Sequence, residues 1–526
     1  MKKKKDNINS LKCIGEIGTK MNLRKKDLEP MGKYSAKLSF ATLNKLKDRT
    51  QGKLILSVST PSILNNKNSH LLVCERLVQS LGLLRKKVVL CAPIVTLDNI
   101  LLGKPYFDVF TKEILLVNLQ NMNSISYAHN FISAYLNNQI IFNNNLNSCN
   151  ILWNKSFNFI DETLKKIVTG LDNSRTNVLV REEKFDYVLN SELTSIVSLS
   201  SNIEEMKDRI SQVIVATTKE GWPVAIKDLQ IQDMVSLLLT ESLKPTLIQT
   251  KNGEPVVLCV SGDGEVLPSG NVLAIKTALN LAEFVVLKLD GCVNLSIEKF
   301  LDITCRKSEI KPDMVIITTF VNELNYYGGA AEEKMFEKNL ECLEKGVQYL
   351  IKDINIIKKF GVPVLVNVNE DRGINSDEVK LIDKYCSNLG VRVVFSSFKK
   401  NSVQSNLEFV KNVLEIVRMQ KSYFRPLYDI NLSLKEKIKI IYKEIHEKSN
   451  INFSLRAEKQ IEYLEKNGFG NLPVSITGIT YFRKNNQDVV NIKDLVLYAG
   501  AGIIVVVSDD NDLMPSFKKC YILKNL

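Results

Sequence analysis

Histidine and tryptophan are scarce in this chain of 526 residues, which has three histidines (His70, His129 and His446) and two tryptophans. So few imidazoles exclude a histidine-rich metal centre as the basis of its chemistry. The ten cysteines are scattered, several inside apolar runs, and no two form a CxxC pair. That excludes a zinc ribbon, argues against a disulfide framework, and predicts reduced, mostly buried thiols in an intracellular protein. No apolar run reaches the length of a membrane span, and no signal-peptide core follows the basic start MKKKKDNINS. The expectation is a cytoplasmic protein without a membrane partner, a mitochondrial location staying open. One further absence is local: the loop from Ser62 to Ser69 contains no glycine.

What is present is ordinary for a globular protein, 45% hydrophobic and 24% charged residues. The length predicts about three domains. The net charge of +12 is spread along the chain, not gathered with aromatics on one stripe. It reads as solvated surface that would suit anionic ligands, with no specific nucleic-acid footprint.

The glycine-free loop lies inside a suggestive frame. Lys53 to Val58 is a short apolar run fit for a strand buried on both faces. Thr60-Pro61 ends it, and Leu71, Leu72, Leu77, Val78 and Leu81 then recur at helical spacing. Strand, loop and helix in that order form the frame of a phosphate-binding loop, whose backbone N–H groups face an anion. Such loops use glycine to turn sharply and approach the phosphate closely. Here only Thr60, Lys67 and Ser69 resemble the expected residues, and an ordinary strand-to-helix connection is the plainer reading.

Further strands are expected at Lys87–Cys91, Val256–Val260, Phe284–Leu289, Asp313–Thr319, Val364–Val368, Val391–Phe395 and Ile503–Val507. Helices are expected at Lys37–Leu46, Ile160–Ile167, Ile203–Ile214, Val272–Leu281, Glu332–Lys359, Ser376–Leu389, Leu434–His446 and Ala457–Lys466, with one beginning at His129. The strand before the loop and Lys87–Cys91 are expected to form a parallel pair with a right-handed crossover. The alternation predicts an α/β fold with a mainly parallel sheet.

Several long stretches carry a resemblance. They include GKLIL at 52–56, KPTLIQT at 244–250, KTALNLAEFVV at 276–286 and EKFLDITCRK at 298–307. NLECLEKG at 339–346, IKKFGVPVLVNVN at 357–369, LYDINLSLKEKI at 427–438, GFGNLPV at 468–474 and AGAGIIV at 499–505 continue it. In these segments and their order the chain resembles formate–tetrahydrofolate ligase, also called 10-formyltetrahydrofolate synthetase. The resemblance implies a three-domain α/β subunit whose first domain is P-loop-like. On this sequence that gives an arm at 1–30, the nucleotide domain at 31–305, a second α/β domain at 306–425 and a C-terminal α/β domain at 426–526. It also implies a homotetramer, or a two-fold dimer where the domain is part of a larger folate enzyme; pairing with an active relative is the expectation for a member with impaired chemistry. The implied substrates are Mg-ATP, formate and tetrahydrofolate, and the implied intermediate is formyl phosphate.

The departures from the family pattern fall where that chemistry lives. The family loop reads T-P-x-G-E-G-K-[ST]-T; Thr60, Pro61, Lys67 and Ser69 match with one residue inserted, but Ile63 to Asn66 replace the glycines and the acid. Branched Ile63 resists positive φ. The arginine that meets the acyl phosphate has no counterpart in Ala92–Asn99. The family's acid and histidine become Asn121 and Asn123, with His129-Asn130 retained. E-A-G-F-G-A-D becomes the segment from Lys288 to Asn294, and V-R-A-L-K becomes Val321-Asn322-Glu323-Leu324-Asn325. The folate-side N-x-F-x-T-D-T becomes Asn369 to Asn375, and Phe398 stands near the family's tryptophan. Thr60, Lys67 and Ser69 are therefore the residual phosphate-loop candidates, with Lys244 and Gln249 read as structural. No catalytic residue or metal ligand is assigned. The expectation is a family member with impaired chemistry, with an active ligase on a rebuilt site and a scaffold subunit as the alternatives.

Overall fold

Apolar strands alternating with amphipathic helices bury their surface best as an open sheet covered on both faces. A computed structural model of the chain builds that arrangement. It describes residues 11–61, 67–93, 112–139, 150–158, 162–164, 167–171, 180–260, 262, 266–267, 270–369, 373–396, 403–477 and 489–508. Ten strands form the main sheet: β1 (Leu28–Pro30), β2 (Ala36–Leu38), β3 (Lys53–Ser59), β4 (Val88–Pro93), β5 (Thr246–Gln249), β6 (Pro255–Cys259), β7 (Phe284–Cys292), β8 (Met314–Phe320), β9 (Val364–Asn369) and β10 (Arg392–Ser396). Their order is β1-β2-β5-β6-β4-β7-β3-β8-β9-β10. From β6 to β10 every pairing is parallel, whereas β1, β2 and β5 add an antiparallel edge. A second sheet of four strands, β11 (Asn450–Phe453), β12 (Val474–Thr477), β13 (Val489–Tyr498) and β14 (Ile503–Ser508), is ordered β11-β13-β14-β12.

Alternation along the parallel strands divides their side chains between two apolar layers. Ile55, Leu90, Val286, Ile316 and Leu365 face helices α1 (Lys67–Leu83) and α5 (Val403–Met419), through Leu77, Val78, Phe409 and Val413. Leu54, Leu56, Leu287, Ile317 and Val366 face the opposite layer. That layer includes α2 (Lys112–Asn138), α3 (Val321–Tyr327) and α4 (Leu340–Lys359), together with α6 (Leu434–His446) of the C-terminal part. Glycine is needed where backbones meet. A Cβ on Gly52 would lie 2.0 Å from Ala282 O, and one on Gly346 would lie 1.8 Å from Leu324 O.

The sheet agrees with the expected α/β class, but details differ. β3 and β4 are parallel yet not neighbours, because β7 lies between them. β8 pairs directly with β3. The early helical segment packs Ile14, Ile17 and Met21 into the core. His129 does not begin a helix; it lies within the 27 residues of α2. The expected helix at Ile160–Ile167 reduces, in its described part, to a short turn at Glu162–Leu164 and the start of a strand at Ile167. The expected helix from Ile203 ends at Ser211, and Ile214 begins a strand. Among the described residues no helix is long and apolar enough to cross a membrane. The cysteines Cys74, Cys91, Cys292, Cys305 and Cys386 are buried thiols, while Cys13 is exposed.

Candidate functional site

In an open α/β sheet, ligands bind beyond the carboxyl ends of the strands, where the chain leaves adjacent strands towards opposite faces. That switch falls between β3 and β8. The segment after β3 becomes α1 on one layer, and the segment after β8 becomes α3 on the other. The crevice therefore opens between Thr60-Pro61 and α3.

Long-range hydrogen bonds fix its floor. The Thr60 amide donates to Thr318 O at 2.9 Å. The Thr60 hydroxyl donates to Thr319 Oγ1 at 3.0 Å and to Glu323 Oε2 at 3.2 Å. Thr60, Thr319 and Glu323 are all buried, and the Tyr327 hydroxyl donates to Pro61 O. The first residue of the loop is thus turned into the protein, towards a carboxyl group. Residues 62–66 and the side chains of Lys67 and Ser69 lie outside the described residues; the backbone of both falls in the first turn of α1.

On the α1 side, the apolar rows of the sheet turn polar towards their carboxyl ends. Ser57 Oγ and His70 Nε2 are 2.9 Å apart. Burial, with the neighbouring Lys288 cation, holds the His70 imidazole down to about 3, so it is neutral at physiological pH. Lys288, itself buried, pairs with Asp290. Further along, Ser396 Oγ donates to Asn367 Oδ1 at 2.7 Å. Asn367 Nδ2 and the neighbouring Thr318 Oγ1 are buried without a hydrogen-bond partner.

The positions where the family carries cations in V-R-A-L-K hold buried asparagines. Asn322 is 3% exposed. Asn325 donates from Nδ2 to Met335 O and Glu337 O, each at 3.1 Å, which ties down the segment after α3. Retained His129 and Asn130 are also bound into structure. His129 Nδ1 is 2.8 Å from Ser191 Oγ, its Nε2 is 3.1 Å from Asn154 O, and its ring lies 4.4 Å from that of Trp153. Asn130 exchanges hydrogen bonds with the backbone of Ser156. Lys244 pairs with Glu29 at 2.7 Å and Glu241 at 2.8 Å, and Gln249 clasps the backbone of Lys12. Neither belongs to the crevice. Among the described residues no group of three or more His, Cys, Asp or Glu side chains gathers as a metal-ligand set.

The sequence marks Glu323 and Lys288 as departures from a motif, but not their partners. Thr60 and Glu323 are separated by 263 residues and Ser57 and His70 by 13, and no local periodicity reports such pairs. Phe398, Glu370–Arg372 and Ile94–Asn99 lie outside the described residues. The sequence model of the formate–tetrahydrofolate ligase family matches residues 4–524, nearly the whole chain.

Proposed function

The chain belongs to the formate–tetrahydrofolate ligase family, and from that premise we propose that it keeps the family fold while its ATP-dependent formyl transfer is impaired. The family reaction uses ATP, formate and tetrahydrofolate and passes through formyl phosphate. It requires donors and cations placed where charge develops on the transferred groups. The observation that carries the reading is the Thr60–Glu323 contact: a buried carboxyl group takes the Thr60 hydroxyl at the floor of the crevice. A buried carboxyl group there offers a polyphosphate no cation, and Asn322 and Asn325 carry no charge where the family has cations. Among the described residues the Thr60 hydroxyl is spent on Thr319 and Glu323. Each lost transition-state donor costs about 3–4 kcal/mol, so losing two or three removes most turnover.

One observation favours the second reading, an active ligase on a rebuilt site. Lys288 places a buried cation beneath the first turns of α1, close to His70, where the family has an acid. Its pairing with Asp290 offsets much of that charge. Lys67, Ser69 and Thr60 remain the proposed residual phosphate-loop residues. On the preferred reading the chain serves as a binding or scaffold subunit, as a homo-oligomer or beside an active relative, and the cytoplasm is its proposed location.

Thermal denaturation of the purified protein with Mg-ATP, and separately with tetrahydrofolate, tests the proposal. A ligand that binds the folded state raises the midpoint by mass action. The proposal expects no rise with Mg-ATP at millimolar concentration. A saturable rise that is lost in Lys67→Ala would support the rebuilt site instead.

A further inference from the structure

A polar cavity lies at the end of the main sheet away from the crevice. Its volume is about 760 Å³, within the range of small-molecule sites. It lies at the amino-terminal side of the strands: Arg306 precedes β8, and Lys359 ends α4 just before β9. Residues 425–430 and α6 close the other side, so the cavity occupies the seam between the main sheet and the C-terminal part.

Three cations line it: Arg306, Lys359 and Arg425. Arg306 is held rigidly. Its Nε donates to Asp302 O at 2.9 Å and its Nη2 to Tyr428 O at 2.7 Å, and the guanidinium lies 4.9 Å from the Tyr428 ring centre. Its Nη1 has no hydrogen-bond partner among the described residues. The backbone of Arg425 is fixed, since its amide donates to Phe360 O at 3.0 Å. Its exposed guanidinium has no carboxylate partner among the described residues. Two acids share the wall, and among the described residues only Glu444 is paired with a cation. Glu444 Oε2 pairs with Lys359 at 2.7 Å, and Asp429 Oδ1 accepts from the amide and side chain of Asn431 at 3.0 and 3.1 Å.

Arg306 also pairs through Nη2 with buried Asp302 Oδ1 at 3.3 Å, so the open donors are its Nη1, preorganised by its other bonds, and the Arg425 guanidinium at the rim. Planar guanidinium forks match the paired oxygens of phosphate groups. We propose that this cavity binds a small phosphate-bearing polyanion, at a site separate from the carboxyl-end crevice. An occupant would bridge Arg306 on the sheet side to Arg425 on the connecting segment, and so fasten the C-terminal part to the sheet.

Inorganic pyrophosphate without metal is the probe, with sulfate at matched ionic strength as the control. In thermal denaturation the full-length protein should show a saturable midpoint rise with pyrophosphate that sulfate does not reproduce. Arg425→Gln, an exposed change that leaves the fold intact, should lower the apparent affinity at least tenfold. Lys67→Gln should leave the rise unchanged, which separates this cavity from any residual phosphate loop. No rise in the wild-type protein, an equal rise in Arg425→Gln, or a rise abolished only in Lys67→Gln would each overturn the proposal. Because the crevice variant reports independently, an active ligase would not rescue the cavity, nor an inactive one refute it.

Discussion

Replacing Gly346 with alanine tests how the crevice wall is held. A Cβ at that position would lie 1.8 Å from Leu324 O, 2.6 Å from Leu324 C and 3.1 Å from Leu324 Cα. Those atoms are backbone, so no rotamer change relieves the clash; α3 must move away from α4. Leu324 adjoins Glu323, the residue that takes the Thr60 hydroxyl, so the displacement reaches the crevice. In an exposed helix interior, glycine to alanine gains about 1 kcal/mol. Overpacking costs typically 1–3 kcal/mol and sometimes more, and an immovable obstacle places this case at the upper end. The expected net loss is about 2 kcal/mol or more. Gly15, in the helix Ile14–Lys20, is the control: a Cβ there meets nothing within 4 Å, so Gly15→Ala should be neutral or stabilising. Urea denaturation followed by the fluorescence of buried Trp153 gives both midpoints. A midpoint for Gly346→Ala equal to or above that of the wild type would refute the packing argument.

Other outcomes follow from single contacts. Burial pushes the Asp302 carboxyl up to about 7, against the amide of Leu427 and the Arg306 guanidinium that favour its charged form. A carboxyl raised on folding binds more protons in the folded state, so stability is full near pH 4 and falls as pH rises towards 7. Asp302→Asn keeps the acceptor for Leu427, and its urea midpoint should decline less between pH 5 and 8 than that of the wild type. His70, held down to about 3, should show no imidazole titration between pH 5 and 8 in NMR spectra. Lys244→Met should lose about 1 kcal/mol through its pairs with Glu29 and Glu241, with ligand responses unchanged; an altered ligand response would place Lys244 in a site after all. Glu323→Ala removes the buried carboxyl and should increase any Mg-ATP midpoint shift, whereas an unchanged response would show that its charge does not control the crevice.

Much of the fold is legible because strands covered on both sides must be apolar throughout. Lys53–Ser59, Met314–Phe320 and Val364–Asn369 announce themselves as runs, and glycine and proline at Gly361-Val362-Pro363 mark the entry to β9. Strand order is different, since nothing in Val88–Pro93 says that β7 will lie between it and β3. The three-residue strands β1 and β2 are too short for alternation to register. His129 reads as a helix start because polar residues such as Gln120, Asn121 and Asn123 interrupt the apolar pattern before it, yet α2 carries them through. At the crevice, substitutions at motif positions expose Glu323 and Lys288, but their consequences depend on partners hundreds of residues away or on another layer. The cavity at Arg306 and Arg425 has no local signal at all, since its walls come from four separated segments.

Phosphate release from ATP, followed with formate and tetrahydrofolate present and again with formate omitted, tests the central claim most directly. Retention of the family fold with loss of its chemistry predicts equal background rates in the two mixtures. Formate-dependent release accompanied by 10-formyltetrahydrofolate would contradict it.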